Sequence, residues 1–161
     1  MSDTELQIRI LGDPVLRKKA KKVKQLTAGH RHLLSKMART MYSAGGVGLA
    51  APQVGSDESL IVIDAGTGLY KLVNPKIVKK EGRQALEEGC LSVPGVSVKV
   101  NRAKKIIVQA LDEDGNSLSI EAQNLLAVVF QHEIDHLEGR LIVDYVSFFK
   151  KLLLKKKIKK I

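Results

Sequence analysis

Residues 124–139 read NLLAVVFQHEIDHLEG, and this stretch decides the fold of the 161-residue chain. Its apolar side chains surround a helix on nearly every side, which is typical of a helix buried at the centre of a domain. Gly139 is a suitable end for that helix. Upstream, short apolar runs bounded by turn residues predict strands. We therefore expect an α+β fold, with short, mostly antiparallel strands packed around the central helix and a further helix at the C-terminus.

Local patterns predict the other elements. Asp13-Pro14 indicates a short helix, and apolar residues at helical spacing predict a longer one between Thr27 and Gly45. Residues 45–55 (GGVGLAAPQVG) are small and rich in glycine, so they predict a loop. Ser147 is placed to cap the final helix. Strands are expected at residues 60–64, 69–73, 75–80, 84–88, 96–100, 105–111 and 117–121.

Composition excludes several classes of protein. Hydrophobic residues make up 44% of the chain and charged residues 27%, which is ordinary for a globular domain and argues against disorder. A single cysteine excludes an internal disulfide framework and is typical of a reducing compartment. No stretch approaches the roughly 20 apolar residues of a membrane span, and the charged N-terminus does not resemble a secretory signal. We therefore expect a cytoplasmic protein.

The net charge of +10 comes from two short stretches that contain no acidic residue. Six basic residues lie between Arg17 and Lys24, and seven more lie between Lys150 and Lys160. Without them, the 27 basic and 17 acidic residues of the chain leave a net charge of about −3. The basicity therefore belongs to two patches and not to the part of the chain that carries the chemical motifs.

The strongest chemical signal is the HExxH pattern formed by His132, Glu133 and His136. Two histidines four residues apart lie on one face of a helix, so both imidazoles can bind one metal ion. Glu133 is then placed to take a proton from a water molecule at that metal. The alternative is a chance match, with two core or surface histidines. The apolar surroundings favour the metal site, because an unpaired charge is costly there.

A catalytic metal site of this kind needs a third protein ligand and an open position. The extended pattern HExxHxxGxxH fails, because its last position is Ile142. The two acids that remain downstream lie too close to the helix to return as ligands, so the third ligand is expected upstream. His30 and His32 there are interpreted as surface residues. Cys90 by itself would be interpreted as a small buried hydrophobe, but two histidines that need a partner favour it as a ligand.

Three segments of the chain resemble the motifs of the peptide deformylase family. Residues 46–53 (GVGLAAPQ) match GxGxAAxQ, residues 88–92 (EGCLS) match EGCLS, and residues 131–136 (QHEIDH) match QHExDH. They occur in the family's order and with similar spacing, and the likeness extends from residue 10 to residue 144. One motif would be weak evidence, but three in register make a chance match very improbable.

The resemblance implies an enzyme that removes the N-formyl group from formyl-methionine at the start of new polypeptides and releases formate. Cys90, His132 and His136 would hold one divalent metal ion, which is commonly Fe²⁺ in this family, with Zn²⁺, Ni²⁺ or Co²⁺ as alternatives. Glu133 would transfer the proton from water to the departing amine. The side-chain amide of Gln53 and the backbone N–H of Leu91 would stabilise the oxyanion.

The resemblance also implies how the substrate is bound. Gly46 and Gly48 would let the backbone approach the substrate closely, although both glycines also suit a simple turn. The peptide would lie extended beside the backbone of Val47 and Gly89, as an added strand. The methionine side chain would enter an apolar pocket, for which the candidates by position are Val47, Leu91, Val128 and Val129. For the two helical valines, an ordinary place in the helix core is nearly as well supported.

Glu88 is a further candidate, although a surface position is the commoner environment for an acid. We expect it to pair with Arg102 or to support a metal ligand from outside the coordination shell.

The two ends of the chain are predicted to differ in role. Residues 1–149 form a single catalytic domain, and residues 150–161 form a Lys-rich helical extension or tail. Leu154, Ile158 and Ile161 recur at helical spacing, which indicates a basic amphipathic helix, whereas a solvated tail is the alternative. Contacts between these lysines and ribosomal RNA phosphates would suit an enzyme of nascent chains. An anionic membrane surface is an alternative partner, and we expect a monomer.

Two other functions are weighed against a deformylase. One is a metallopeptidase that cuts internal peptide bonds, which the missing third histidine and the upstream Cys90 argue against. The other is a basic RNA-binding module with a structural metal, in which protein ligands would fill all four positions. Formate release separates the first from a deformylase, and the effect of replacing Glu133 separates the second.

Overall fold

The structure is a computed structural model that describes residues 4–159 of the chain. Its α-helices are α1 (Ala28–Ser43), α2 (Asn124–Leu137) and α3 (Phe148–Lys159). Short 3₁₀ helices lie at Pro14–Arg17, Ala51–Val54 and Ile142–Tyr145. All four predicted helices are therefore confirmed. The first is capped as expected, because the Asp13 carboxylate accepts a hydrogen bond from the N–H of Val15 at 3.1 Å.

The described strands form two antiparallel sheets, which confirms the predicted α+β class. Five of them form one sheet in the order β1-β2-β3-β6-β7: β1 (Gly48–Ala50), β2 (Leu60–Ile63), β3 (Tyr70–Glu81), β6 (Lys105–Leu111) and β7 (Ser117–Gln123). The other two form a hairpin, β4 (Gln84–Cys90) and β5 (Val93–Arg102). Because β1 lies at the end of the order, one of its edges has no strand partner among the described residues.

The five-stranded sheet lies between two helices. Successive side chains of a strand point to opposite faces. In β2, Ile61 and Ile63 belong to the core cluster that contains Phe130 of α2, whereas Leu60 and Val62 belong to the cluster of α1. A strand covered on both faces must be apolar throughout, which explains the LIVI run. The helix α2 is buried as predicted, and Phe130 is completely inaccessible to solvent.

The prediction of a loop at residues 45–55 is wrong in part. This stretch contains β1, in which Gly48 pairs with Ile63 of β2, and it continues into a 3₁₀ helix. Three residues of β1 are too few to show the alternating pattern that predicts a strand from sequence. The strand forms because β2 supplies its hydrogen-bond partners.

The two strands predicted at 69–73 and 75–80 are one continuous strand, β3. Asn74 marks the irregularity between them, with a φ of 53° and a register shift in the pairing with β6. The Asn74 side chain accepts from the N–H of Val23 and donates to its carbonyl, each at 2.8 Å. The Asn74 side chain thus bonds to the backbone of Val23 as a neighbouring strand would. It holds this part of the chain against the sheet.

The C-terminal helix is confirmed, but the predicted boundary between residues 149 and 150 falls inside α3 and stays a prediction. Leu154 is half-buried against the cluster around the β4–β5 hairpin, whereas Phe148 and Phe149 are 71% and 78% exposed. The predicted positions Ile158 and Ile161 lie outside the described side chains. Within residues 4–159, no helix is long and apolar enough to cross a membrane.

Candidate metal centre

The three predicted metal ligands meet in the structure. His132 and His136 lie one turn apart on α2, and Cys90 reaches them from the end of β4. The Nε2 atoms of the histidines are 3.1 Å apart, and the Cys90 Sγ is 3.4 Å from Nε2 of His136. These three residues form a cluster in which all three ligand atoms lie within 4.8 Å of one another. One sulfur and two imidazole nitrogens are the donor set that Zn²⁺ and Fe²⁺ accept.

The surroundings of the two histidines fit a bound cation. Burial opposes a charge on His132, but hydrogen bonds to Cys90 and Glu88 outweigh it and hold the pKa of His132 well above its ordinary value. Burial and the neighbouring His132 lower the pKa of His136 well below the ordinary value. The closeness of the Cys90 sulfur to two buried imidazoles fits a metal ion held by all three ligands.

Glu88 orients the first histidine. Its Oε1 atom is 2.9 Å from Nδ1 of His132, so that nitrogen can donate to Glu88 while Nε2 of the ring faces His136. Its carboxylate also accepts two bonds of 2.9 Å from Arg102, and both side chains are about 95% buried. Burial raises the pKa of Glu88, but the bonds from His132 and Arg102 bring it below the ordinary value. The expected pair with Arg102 is confirmed, the surface alternative is wrong, and the contact with His132 places Glu88 next to a predicted metal ligand.

Arg102 extends this network to Asp135 and Tyr145, for which the sequence motifs predicted no role. Its Nη1 donates to Asp135 at 2.6 Å and to the hydroxyl of Tyr145 at 3.2 Å. Its guanidinium also lies over the Tyr145 ring, 4.8 Å from the centroid. The position of Asp135 inside the QHEIDH motif was a usable signal, whereas nothing in the sequence connects Tyr145 with the site.

Glu133 lies beside the cluster and is 3% exposed. Its Oε2 atom has no hydrogen-bond partner among the described residues. Burial raises its pKa to about 7 against the lowering effect of His132, and a group with such a pKa exchanges protons readily at neutral pH. Gly48 makes room for this carboxylate, because a Cβ atom there would lie 2.8 Å from both Cγ and Cδ of Glu133.

Gln53 is held with its amide nitrogen towards the cluster. Its Oε1 accepts from the N–H of Ala50 at 2.9 Å, and its Nε2 donates to Ser92 Oγ at 3.2 Å and to Cys90 Sγ at 3.6 Å. Ser92 is completely buried, and its place in the EGCLS segment was the only sequence signal for it. Leu91 and Ser92 form the tight turn between β4 and β5.

A cavity of about 590 Å³ opens onto the cluster. It is lined by His132 and Glu133 and by all four predicted pocket residues, Val47, Leu91, Val128 and Val129. Gly46, Gly48 and Gly89 also border it. A Cβ atom at Gly46 would lie 2.8 Å from Cδ1 of Leu91, so this glycine lets two walls of the cavity approach each other. The carbonyl of Val47 already accepts from the N–H of Asp64 at 2.9 Å.

The other histidines lie away from the cluster. His30 is 3.0 Å from the N–H of Thr27 and 3.1 Å from Glu58 Oε1, and its side chain is only 13% exposed. The surface interpretation is therefore wrong for His30, because the start of α1 packs against Glu58. It is confirmed for His32, which is exposed.

Sequence comparisons with known proteins identify one family. The sequence model of the polypeptide deformylase family matches residues 5–152. A peptide deformylase from Halothermothrix orenii is 53% identical over 143 residues, which are 88% of this chain and 93% of the relative. One from Caldanaerobacter subterraneus is 54% identical over 142 residues, which are 88% of this chain and 89% of the relative.

Solved structures give the same result. The crystal structure of a peptide deformylase from Ehrlichia chaffeensis in complex with actinonin aligns with a TM-score of 0.95 and 38% identity, over 98% of this chain and 97% of that one. A peptide deformylase from Legionella pneumophila gives a TM-score of 0.93 and 44% identity, over 98% and 95% of the two chains. Fold, site and relatives define the chain as a hydrolytic enzyme. It belongs to the peptide deformylase family.

Proposed function

We propose that this chain is a metal-dependent deformylase that removes the formyl group from formyl-methionine at the start of newly made polypeptides and releases formate in the cytoplasm. The observation that carries the proposal is the convergence of Cys90, His132 and His136 beside Glu133, whose Oε2 has no partner among the described residues, next to a cavity of about 590 Å³. Membership of the peptide deformylase family supports it.

In this proposal Cys90, His132 and His136 hold one divalent metal ion, for which we propose Fe²⁺, with Zn²⁺, Ni²⁺ or Co²⁺ able to take its place. When bound, the ion supplies a Lewis acid that polarises the formyl carbonyl and acidifies water. The mixed sulfur and nitrogen donors suit all four of these ions and select none of them.

The chain's own residues do the remaining work. Glu133 accepts a proton from the attacking water and delivers it to the departing amine, a role for which a buried carboxylate with a pKa of about 7 is suited. The amide nitrogen of Gln53 and the backbone N–H of Leu91 donate to the oxygen that becomes negative. A neutral donor such as Gln53 stabilises that oxygen without forming an ion pair with Glu133.

The substrate is proposed to lie extended along the free edge of β1, with Gly89 of β4 on its other side. The methionine side chain occupies the cavity against Val47, Leu91, Val128 and Val129. The carbonyl of Val47 already accepts from the N–H of Asp64. The peptide is therefore proposed to bond to other backbone groups, those of β1 and of the glycines that border the cavity.

The test is a formate-release assay on a formyl-Met peptide, with anaerobically purified protein and metal analysis in parallel. Anaerobic handling matters because thiolate ligands and Fe²⁺ are sensitive to oxygen. We expect stoichiometric formate and free N-terminal methionine, with about one metal ion per chain. Cleavage within the peptide and no formate would favour a metallopeptidase and contradict the proposal.

We further propose that the lysines of residues 150–161 bind ribosomal RNA through phosphate contacts. The exposure of Lys150 and Lys156 on α3 supports this. Deletion of residues 151–161 should weaken co-sedimentation with ribosomes, and the loss should shrink as salt is raised. A control for loss of basic charge elsewhere on the surface replaces the exposed Lys76 and Lys80 of β3 with glutamine. Unchanged binding of the deletion variant at low salt would contradict the proposal.

A further inference from the structure

The N-terminal segment, residues 5–20, forms backbone hydrogen bonds with each of the three segments that carry the site. It lies outside all three motifs and outside the cavity lining. The three bonds run from Arg9 N–H to Gln53 O (2.7 Å), from Leu11 N–H to Ser92 O (2.8 Å) and from Ala20 N–H to Leu137 O (2.8 Å). One continuous segment therefore connects the backbones next to the proposed oxyanion donor, the cysteine ligand and the second histidine.

The first two of these bonds, from Arg9 and Leu11 to Gln53 and Ser92, are called the bracket. Arg9 and Leu11 are two residues apart, so their N–H groups can be separated by no more than about 7 Å along the chain. Their acceptors, Gln53 and Ser92, are also joined on the side of the site, where Gln53 Nε2 donates to Ser92 Oγ at 3.2 Å. The 3₁₀ helix that carries Gln53 is thus held against the β4–β5 turn from both sides.

The bracket is itself anchored at its two ends. Before it, the N–H of Leu6 donates to Thr40 Oγ1 of α1 at 3.0 Å. After it, Leu16 is 1% exposed and packs in the cluster around the β4–β5 hairpin. The guanidinium of Arg9 also lies against Gly55, just beyond Gln53. These anchors leave the Arg9–Leu11 backbone little freedom to follow a displacement of the 3₁₀ helix that carries Gln53.

We propose that the backbone N–H groups of Arg9 and Leu11 position the Gln53 amide relative to Cys90, so that the amide nitrogen is directed at the oxygen of the reacting carbonyl. The inference rests on the proposed function, since it takes Gln53 as the oxyanion donor. Arg9 and Leu11 are positioning residues, because neither touches the cavity. Small displacements of a preorganised donor cost rate and leave binding nearly unchanged.

The test removes single N–H groups without changing side chains. Leucine is replaced by its α-hydroxy acid, through nonsense suppression, at position 11 or at position 141 of the full chain. The Leu141 ester is the matched control, because the same chemical change removes a bond of 3.0 Å to Asp144 Oδ2, outside the bracket and outside the cavity lining. We expect similar losses of thermal stability, but a kcat about 10-fold lower with an unchanged KM only for the ester at 11.

A double-mutant cycle asks whether the bracket acts through Gln53. In a Gln53→Ala background the ester at 11 should cost no further kcat, because the group that it positions is gone. An undiminished loss in that background, or equal kcat losses for the two esters, would overturn the proposal.

A readout without catalysis separates this proposal from the function on which it rests. The N–H of Ala50 donates to Gln53 Oε1, so its hydrogen exchange reports the place of that amide. Exchange of Ala50 should accelerate at least 10-fold in the ester at 11 and stay within twofold in the ester at 141. If the wild-type protein released no formate, the proposed function would fail, and equal exchange in the two esters would still overturn the bracket.

Discussion

At the scale of single residues, the site depends on the carboxylate of Glu133 and on the glycine at position 48, which leaves space for it. Glu133 lies buried beside the metal ligands with an oxygen that has no partner among the described residues. Gly48 has no side chain, and the carboxylate occupies the space that a Cβ atom would need. The sequence predicted both residues as functional, but only the structure shows that each depends on the other.

Replacing Glu133 with alanine should abolish turnover and leave the metal bound. The carboxylate is not among the three ligands, and general acid–base groups contribute about 10²–10⁴-fold to rate. Formate release and metal content measured on the same sample check this. Glu138→Ala, an exposed acid just beyond the same helix, is the control. Retained activity in Glu133→Ala would exclude Glu133 from the proposed mechanism.

Gly48→Ala should lower kcat at least 10-fold, because the new methyl group and the Glu133 carboxylate cannot occupy the same space. Overpacking of this kind destabilises by roughly 1–3 kcal/mol, so the protein should still fold. Gly29→Ala in α1, where a Cβ atom would lie 3.4 Å from Thr27 Oγ1, is the control. It should leave activity unchanged. Equal activity in both variants would show that Gly48 is needed only for the backbone turn and not to make space for Glu133.

At the scale of elements, one arginine joins the β4–β5 hairpin to α2. Arg102 of β5 binds Glu88 of β4 and Asp135 of α2, and Glu88 in turn binds His132. The cysteine ligand comes from the hairpin and the histidines from the helix. The relative placement of these two elements therefore decides whether the three ligands meet.

Arg102→Met should destabilise the protein by about 3–5 kcal/mol, because it leaves two carboxylates partly or fully buried without their cation. Metal affinity should also fall about 10–100-fold, since Glu88 no longer holds His132 in place. Denaturant unfolding and competition with a chelator measure the two effects. Lys99→Met, at an exposed position on the same strand, should change stability by less than about 0.5 kcal/mol. A stable Arg102→Met variant with unchanged metal affinity would contradict this role.

At the scale of the whole molecule, the two ends of the chain are joined beside the end of α2. Arg17 makes two bonds to Asp144, at 2.6 and 3.0 Å, and Lys151 of α3 adds a third at 3.2 Å. Gly139 ends α2 with a φ of 76°, and a Cβ atom there would lie 2.6 Å from the Arg17 carbonyl. The two basic stretches of the sequence thus meet at one acid, which no local pattern predicts.

This joint should give the stability of the protein a pH dependence. Burial raises the pKa of Asp144, but the bonds from Arg17 and Leu141 outweigh it and bring the pKa to about 2, from an ordinary 3.8. A lowered pKa stabilises the fold above pH 4, and the contribution is lost as the pH falls from about 4 to about 2. Because the pair is partly exposed to solvent, we expect about 1 kcal/mol.

Urea unfolding of the wild type and of Asp144→Asn at pH 5 and at pH 2.5 measures this contribution. The wild type should be more stable by about 1 kcal/mol at pH 5, and the difference should shrink at pH 2.5. Asp114→Asn, at the exposed turn between β6 and β7, is the control. A difference between wild type and Asp144→Asn that does not change with pH would contradict the assignment.

The sequence by itself determined what depends on near neighbours along the chain. Apolar residues on nearly every side predicted the buried helix α2, and the spacing within HExxH predicted that His132 and His136 share one face, because a helix turns every 3.6 residues. The need for a third ligand indicated Cys90. Alternating or continuous apolar runs predicted most strands, since the two faces of a strand are encoded in successive residues.

Only the tertiary structure decided what depends on residues far apart in the sequence. It made β1 a strand by supplying β2 as its partner, and it placed Arg102 between Glu88 and Asp135. It also brought the N-terminal segment against the backbone of Gln53. These contacts form where elements distant in the sequence pack together. The free energy of that packing depends on pairs of elements, so the apolar pattern of a single element does not predict it.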